Sequence, residues 1–118
     1  MVVDTALSSD EVDRLFRALA DATRRDIVVR AAIGDLSVSA LARNYDMSVT
    51  AVQKHVSVLE SAGLVRKHRS GREQLVRPQP RALDTAREVL DEIEQLWRDR
   101  INLFGEVLAA QLTEGETR

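Results

Sequence analysis

Apolar residues recur at helical spacing in several parts of the chain. Val12, Leu15, Phe16 and Leu19 fall at positions i, i+3, i+4 and i+7, which predicts an amphipathic first helix over residues 8–20. The same spacing, read together with capping residues, predicts further helices over residues 22–33, 37–44, 48–62 and 80–112. Helices therefore dominate the predicted fold.

Residues that favour helix ends mark these boundaries. Ser8 and Glu11 have the spacing of a capping box at the start of the first helix. Other N-cap candidates precede later helices, and glycines follow two of them. These residues are Asp21, Ser37 and Ser48 at the helix starts, and Gly34 and Gly63 at the helix ends.

Two segments rich in β-forming residues flank a turn at Ser70 and Gly71, which predicts a hairpin over residues 64–77. Pro78 and Pro80 end the second strand, and Pro80 fits the first turn of the helix that follows. The 118 residues predict a single domain that is mainly α with a small β-hairpin.

The third and fourth predicted helices are joined by a tight polar turn over residues 44–47, which is the helix-turn-helix arrangement. A hairpin directly after such a pair is typical of a wing. The order of four helices, a hairpin and a fifth helix therefore predicts a winged helix-turn-helix fold. Residues 48–62 are its predicted recognition helix.

Charge is divided unevenly along the chain. The formal net charge is −2, from 17 basic and 19 acidic residues. Residues 48–81 hold seven Lys or Arg and two acids, a local net charge of +5, whereas the remainder holds ten basic and seventeen acidic residues, a net of −7. Because local charge decides where a phosphate backbone can dock, this division favours nucleic-acid binding by residues 48–81.

The polar face of the predicted recognition helix suits double-stranded DNA. Gln53 can pair with adenine and Thr50 can touch a thymine methyl, so these two residues, with Val49, are the predicted base readers. Predicted phosphate contacts on the same helix are Ser48, Lys54, His55 and Ser57. For His55 an alternative stays open, a partly buried side chain against the wing.

Arginines give the predicted wing its positive charge. Arg69 and Arg72, near the tip, are the leading candidates for minor-groove or phosphate contact, followed by Arg66, Lys67 and Arg77. The alternative is a solvated hairpin whose charges serve solubility. Arg24 and Arg25, near the start of the second helix, are predicted to be surface residues or an internal ion pair rather than phosphate contacts.

The last helix carries an apolar stripe too extensive to leave exposed on a small monomer, so a homodimer is predicted, with help from the first helix. The predicted interface residues are Leu15, Leu83, Leu90, Ile93, Trp97, Ile101, Phe104 and Leu108. Trp97 and Phe104 could instead line a small-molecule or lipid pocket between subunits. The other faces of this helix are acidic, which argues against contact with DNA.

Composition excludes or disfavours several other functions. The chain has no cysteine and only two histidines, and no catalytic nucleophile, metal cluster or phosphate loop is visible, so neither an enzyme nor a cofactor or metal is predicted. Carboxylates of the last helix, such as Asp84 and Glu88, remain a weak alternative for a hard cation. Scarce aromatics disfavour single-stranded nucleic acid. No membrane or targeting segment is apparent, so a cytoplasmic location is expected.

Several stretches together resemble the ArsR/SmtB family of bacterial winged-helix transcription regulators. They are residues 15–28 (LFRALADATRRDIV), 36–42 and 48–65, and the Gly71-Arg72 pair of the wing. The resemblance implies a homodimer through the terminal helices and repression of a promoter that carries an inverted repeat. It does not carry over metal sensing, because residues 36–39 read Leu-Ser-Val-Ser where metal-sensing members have a cysteine pair.

The predicted function is that of a homodimeric repressor of a palindromic double-stranded DNA operator, with no membrane partner and an unidentified effector. Two alternatives stay open. One is a derepressor that responds to a metal, small molecule or lipid at the dimer interface. The other is a protein-interaction module that uses the winged helix as a scaffold.

Overall fold

The computed structural model describes residues 8–116, with side chains described as far as residue 113. Within this part the chain forms five helices and three short strands. In order they are α1 (Ser9–Leu19), α2 (Ala22–Ile33), β1 (Leu36–Ser37), α3 (Val38–Ala42), α4 (Val49–Ser61), β2 (Val65–Ser70), β3 (Glu73–Pro78) and α5 (Pro80–Glu116). The helices and the β2–β3 hairpin follow the predicted order, which confirms the winged helix-turn-helix fold.

Side-chain oxygens cap the first four helices as their sequences predict. Ser8 Oγ accepts a hydrogen bond from the Glu11 backbone N–H at 3.2 Å, and the Glu11 carboxylate accepts one from the Ser8 N–H at 3.4 Å. This reciprocal pair is the predicted capping box. The later N-caps, Asp21, Ser37 and Ser48, each accept from the backbone N–H three residues ahead, at 2.9, 3.0 and 3.1 Å.

Gly63 ends α4 in the left-handed conformation, with φ of 76°. The Gly63 N–H donates to the Glu60 carbonyl at 3.0 Å, and the Leu64 N–H donates to the Leu59 carbonyl at 2.9 Å. These two bonds satisfy carbonyls at the helix end and turn the chain directly into β2. The position of the hairpin relative to α4 is therefore set locally.

The sheet contains one strand more than the predicted hairpin. The strand order is β1-β3-β2, and β1 pairs antiparallel with β3 through Leu36 opposite Val76 and Ser37 opposite Leu75. A strand of two residues is too short to show an alternating pattern, so its sequence did not indicate it. Helix α3 is shorter than the predicted 37–44, because it begins at Val38, after its N-cap Ser37, and already ends at Ala42.

The core gathers side chains from α1 to α4 and from the sheet. Its largest fully buried members are Leu15, Ile27, Leu41, Leu59, Leu64, Val52, Val56, Val65 and Val76. The prediction of Leu15 as a dimer contact is wrong for this reason: its side chain is 0% exposed and belongs to the subunit's own core. Three of the core residues come from one face of α4, so that face anchors the helix and leaves the opposite face outward.

Helix α5 packs on the rest of the subunit only near its start. Ala82, Ala86 and Val89 are buried, and the Thr85 hydroxyl, also buried, donates to the Arg81 carbonyl at 3.2 Å. Every described residue from Ile93 onward is exposed. At about 1.5 Å per residue, a helix of this length spans roughly 55 Å, so its second half projects beyond the domain.

Candidate nucleic-acid interface

The first turns of α4 present a set of short side chains to solvent. Val49 is 51% exposed, Thr50 and Lys54 are also exposed, and Gln53 is half-buried beside them. Ser48 precedes them as the N-cap, so its hydroxyl lies at the positive end of the helix dipole. In helix-turn-helix proteins this end of the recognition helix contacts base edges. The structure thus brings the predicted base-reading residues together on one exposed surface.

A hydrogen-bonded network, which we name the corner network, joins α2 to the turn before α4. It consists of Asp26, Arg30, Asn44 and Tyr45. The Tyr45 hydroxyl donates to Asp26 Oδ2 at 2.5 Å, and Arg30 Nε donates to the same oxygen at 2.8 Å. Arg30 also donates to Asn44 Oδ1 at 3.1 Å, and its guanidinium lies 5.8 Å from the centre of the Tyr45 ring. The turn that sets the angle of α4 is therefore held to α2.

The corner network was not predicted from the sequence. Asp26 and Arg30 have the i, i+4 spacing of a helical ion pair, which is a weak signal. Tyr45 stands in a turn, where no periodic pattern assigns its partner. Nineteen positions separate Tyr45 from Asp26, so only the fold brings them into contact.

Within the network the pKa of Asp26 is lowered, whereas those of Tyr45 and Arg30 are raised, for Arg30 mainly by its hydrogen bond to Asp26. The hydrogen bond from Tyr45, followed by that from Arg30, holds the pKa of Asp26 below its ordinary value. Burial, followed by the hydrogen bond to the Asp26 carboxylate, raises the pKa of Tyr45 to about 12. The network is therefore most favourable with a protonated phenol and an ionised carboxylate.

The pKa of Tyr45 can be measured directly, because it is the only tyrosine in the chain. Absorbance of the phenolate should show half-ionisation near pH 12 rather than at the ordinary value of 10.0. Since the folded-state pKa is raised, the contribution of this group to stability is present below pH 10 and is lost as the pH rises toward 12. In an Asp26→Ala variant the midpoint should fall toward 10, and a wild-type midpoint near 10 would contradict the network.

Arg24 and Arg25 have a structural role that their sequence did not indicate. Arg24 donates to the carbonyls of Ala18 at 2.8 Å and Arg17 at 2.9 Å, and Arg25 donates to that of Leu19 at 2.7 Å. Both guanidinium groups thus satisfy carbonyls at the end of α1. Within the described residues, neither arginine forms the predicted internal ion pair.

His55 faces the start of α2 rather than the wing. Its Nδ1 atom lies 4.0 Å from Asp21 Oδ1, and its side chain is about three-quarters buried, at 24% exposure. A hydrogen bond from the Arg24 backbone N–H is the main cause that holds the pKa of Asp21 below its ordinary value, and His55 lowers it further. The side chain is partly buried, as the alternative prediction states, but the neighbour that the structure gives it is Asp21 rather than the wing.

Ser57 and Lys67, both predicted DNA contacts, contact each other in the single subunit. Lys67 Nζ donates to Ser57 Oγ at 3.3 Å and lies 3.6 Å from Glu60 Oε1, and its side chain is only 18% exposed. The Lys67 backbone N–H also donates to Glu60, at 3.3 Å. These bonds join β2 to α4. Lys67 is therefore a brace between helix and wing, and its charge is partly compensated.

The wing, defined here as residues 65–78, exposes three arginines, Arg66, Arg69 and Arg72. Arg77 differs from them because its Nη2 atom lies 3.5 Å from Asp35. Gly71, with φ of 62°, and Arg72 form the two-residue turn between Ser70 and Glu73. A positive φ at the first position alone fits a type II′ turn. Arg72 therefore lies in the turn at the tip of the wing, and Arg69 precedes Gly71 by two residues.

Seven exposed apolar residues of α5, which we call the apolar stripe, are the predicted interface residues other than Leu15. They are Leu83, Leu90, Ile93, Trp97, Ile101, Phe104 and Leu108. Leu96, Leu103, Val107 and Leu112 are also exposed on this helix, although they were not predicted as interface residues. Trp97 is 70% exposed and Ile101 68% exposed. Nothing in the described part of the same subunit covers these large side chains, which is unfavourable for a protein in water.

Within residues 8–113 of the single subunit, no three His, Asp or Glu side chains are grouped so that they could hold a metal ion. An open cleft of about 370 Å³ lies between α1, the end of α4 and the start of α5, and neither Trp97 nor Phe104 lines it. No helix in this part of the chain combines the length and the apolar character needed to cross a membrane.

Comparisons with known proteins identify the family. The sequence profile described as "Bacterial regulatory protein, arsR family" matches residues 21–67. The chain is similar to the HTH-type transcriptional regulator Rv2034 of Mycobacterium tuberculosis, with 35% identity over 99 residues that cover 84% of this chain and 90% of the relative. This relative is matched over nearly its whole length, so the similarity extends well beyond the helix-turn-helix.

Similar solved structures support the same family assignment. An ArsR-like transcriptional regulator from Rhodococcus sp. RHA1 is 30% identical with a TM-score of 0.78, over 86% of this chain and 93% of that one. The homodimeric winged helix-turn-helix domain of Mb0332 from Mycobacterium bovis is 30% identical with a TM-score of 0.60, over 84% and 91%. The chain is therefore a winged helix-turn-helix transcriptional regulator of the ArsR family.

Proposed function

We propose that this regulator is a homodimeric repressor that binds an inverted repeat of double-stranded DNA in a promoter. The observation that carries the proposal is the shared exposure of the first turns of α4 and of the arginines of the wing. These two elements supply base-reading groups and positive charge side by side, although the chain as a whole is acidic. The protein acts by binding and carries out no catalysis.

Each part of this surface has its own role. Val49, Thr50 and Gln53 read base edges in the major groove, and Ser48 and Lys54 contact the flanking phosphates. His55 can reach a phosphate only at the margin of α4, because most of its side chain is buried against α2. In the wing, Arg66, Arg69 and Arg72 contact the DNA. The remaining predicted contacts, Ser57, Lys67 and Arg77, hold the helix and the wing in place.

The apolar stripe of α5 supplies the dimer contact. The homodimeric state of the Mb0332 domain supports this assignment. Two copies of α4 related by a two-fold axis would enter successive major grooves, about 34 Å apart, which requires an inverted repeat. The carboxylates of α5, among them Asp84, Glu88 and Asp91, then lie on a dimer body that does not contact DNA.

A gel shift with promoter DNA over a series of salt concentrations tests the proposal. Since phosphate contacts release counterions, affinity should fall steeply as salt rises. Gln53→Ala should lose about 1–3 kcal/mol of discrimination at one base position per half-site. Arg72→Ala should weaken binding whichever base occupies the major-groove position that Gln53 reads, and should reduce the salt dependence.

Two exposed residues of α5 provide matched controls. Gln95→Ala makes the same chemical change as Gln53→Ala, and Arg87→Ala the same change as Arg72→Ala, away from the proposed DNA surface. Both controls should bind like the wild type. An affinity that does not depend on salt, or an equal loss in the Gln53 and Arg72 variants of discrimination at the base that Gln53 reads, would contradict the division of roles.

A further inference from the structure

We infer that each half-site of the operator is built from A·T pairs, read as adenine and thymine by α4 in the major groove and as a narrow minor groove by the tip of the wing. The inference rests on the proposed DNA-binding function and adds the base composition of the target. Two separate surfaces support this inference, and each of them favours A·T pairs.

The first surface is the start of α4. Guanine is read in the major groove mainly by arginine or lysine, which donate two hydrogen bonds to O6 and N7. From Val49 to Ser61, α4 contains no arginine, and its one lysine is Lys54. Successive residues of a helix are rotated by about 100° around its axis. Lys54 therefore lies next to Thr50, on the side away from Gln53, where a phosphate is nearer than a base edge.

The groups that α4 does expose match the edges of A·T pairs. Val49, 51% exposed, and Thr50 present methyl groups, for which the C5 methyl of thymine is the complementary apolar contact. Gln53 presents an amide, which can both donate to N7 and accept from the N6 amino group of adenine. About half of the Val49 surface is left uncovered within the subunit. Beside Thr50 and Gln53, this uncovered half can pack against a thymine methyl.

The second surface is the tip of the wing. Arg72 lies in the turn itself, Arg69 lies across from Gln74, and both are exposed. Gly71 between them has no side chain, so the tip is narrow. Runs of A·T pairs narrow the minor groove and strengthen its negative potential, which attracts inserted arginine. Glu73, next to Arg72, is the one carboxylate of the wing, and Arg69 and Arg72 outnumber it, so the tip keeps a net positive charge.

Base analogues in a bound DNA fragment test each surface separately. Deoxyuridine in place of thymine removes only the C5 methyl and should weaken binding about fourfold per contacted base. 7-Deazaadenine removes only N7 and should weaken binding about tenfold at the position that Gln53 reads. 2,6-Diaminopurine leaves the major-groove edge of adenine unchanged and adds an amino group to the minor groove, so it should weaken only the contact of the wing.

Conservative variants of exposed residues assign each effect. In Val49→Ala and Thr50→Ser, deoxyuridine should cause a smaller loss of affinity than in the wild type. Gln53→Ala should no longer respond to 7-deazaadenine, and Arg72→Gln should no longer respond to 2,6-diaminopurine. Gln95→Ala on α5 should keep all three responses. Because these side chains are exposed or half-buried, the variants should fold, which circular dichroism verifies.

Selection of bound fragments from random double-stranded DNA, with the full chain, supplies the decisive comparison. Half-sites composed of A·T pairs that respond to the analogues support the inference. Half-sites with a fixed guanine, above all one whose selection is lost in Lys54→Met, would overturn it while leaving the proposed function intact. Failure to retain any DNA would overturn the proposed function itself, so the two failures are distinguishable.

Discussion

Ile101→Asp should convert the dimer into monomers. Ile101 is 68% exposed on the single subunit and lies in the middle of the projecting part of α5, so its burial depends on the partner. Full burial of such a side chain contributes about 1.5–3 kcal/mol, and the two-fold axis doubles the loss. The dimer dissociation constant should therefore rise at least about a hundredfold, before the cost of burying a carboxylate is added.

Tryptophan fluorescence provides a simple measurement, because Trp97 is the only tryptophan and is 70% exposed on the single subunit. Its emission should lie at shorter wavelength in the dimer and shift to longer wavelength in Ile101→Asp. Analytical ultracentrifugation gives the mass independently. Asn102→Asp is the matched control, since it adds the same charge to the neighbouring position but turns it about 100° away from the apolar stripe.

The same variant should lose operator binding. A dimer binds its second half-site at a high effective concentration, so separation of the subunits should reduce affinity by about a hundredfold or more. Residual binding by the monomer should depend on salt but discriminate little between sequences. If Ile101→Asp remains a dimer, or if Asn102→Asp dissociates equally, the assignment of the apolar stripe is wrong.

Features determined within a few residues were predictable from the sequence. The N-caps Ser8, Asp21, Ser37 and Ser48 all form the bonds that their positions suggest, because each bond spans only three residues. The glycine at position 63 ends α4 for an equally local reason. Helical periodicity likewise identified which residues of α4 face inward, since Val52, Val56 and Leu59 are all fully buried.

Contacts between distant positions were not predictable. Periodicity placed Leu15 and Trp97 in the same class of apolar helix residues, yet one is 0% and the other 70% exposed. The difference depends on where each helix meets the rest of the chain. Likewise, Lys67 has the sequence context of a free wing cation, and only the packing of β2 against α4 brings it to Ser57 and Glu60.

The candidate site shows the same division. The exposed surface that we propose to read DNA was visible in the sequence as a local charge excess and a polar helix face. The groups that orient this surface were not, because they come from elements far apart in the sequence: Asp26 in α2, Tyr45 in the turn and Asp21 at the α2 N-cap. The exposed candidates for DNA contact are thus easier to predict from this sequence than the residues that position them.

Tyr45→Phe should show that the corner network positions α4. The change keeps the ring but removes the hydroxyl that donates to Asp26, and we expect it to lower the free energy of unfolding by about 1–2 kcal/mol, toward the lower end because the carboxylate is partly exposed. DNA affinity should also fall, roughly two- to thirtyfold, under conditions in which the variant is fully folded. Chemical denaturation and gel shifts measure the two effects.

The dependence on pH separates this network from simple packing of the ring. Because the pKa of Asp26 is held below its ordinary value of 3.8, its contribution is present above that pH and is lost as the pH falls through the folded-state pKa. The stability difference between wild type and Tyr45→Phe should therefore shrink in acid. It should also be smaller in an Asp26→Asn background, since the two side chains form one network.

Phe16→Leu serves as the control for this prediction. Phe16 packs against the core from α1 and is not a member of the corner network, so its replacement should lower stability with no change in DNA affinity of the folded protein. If Tyr45→Phe behaves in the same way, with a pH-independent loss of stability and unchanged affinity, Tyr45 only fills space. A loss of affinity without a loss of folded protein would instead mean that the angle of α4 depends on a hydrogen bond to α2, some twenty residues earlier in the chain.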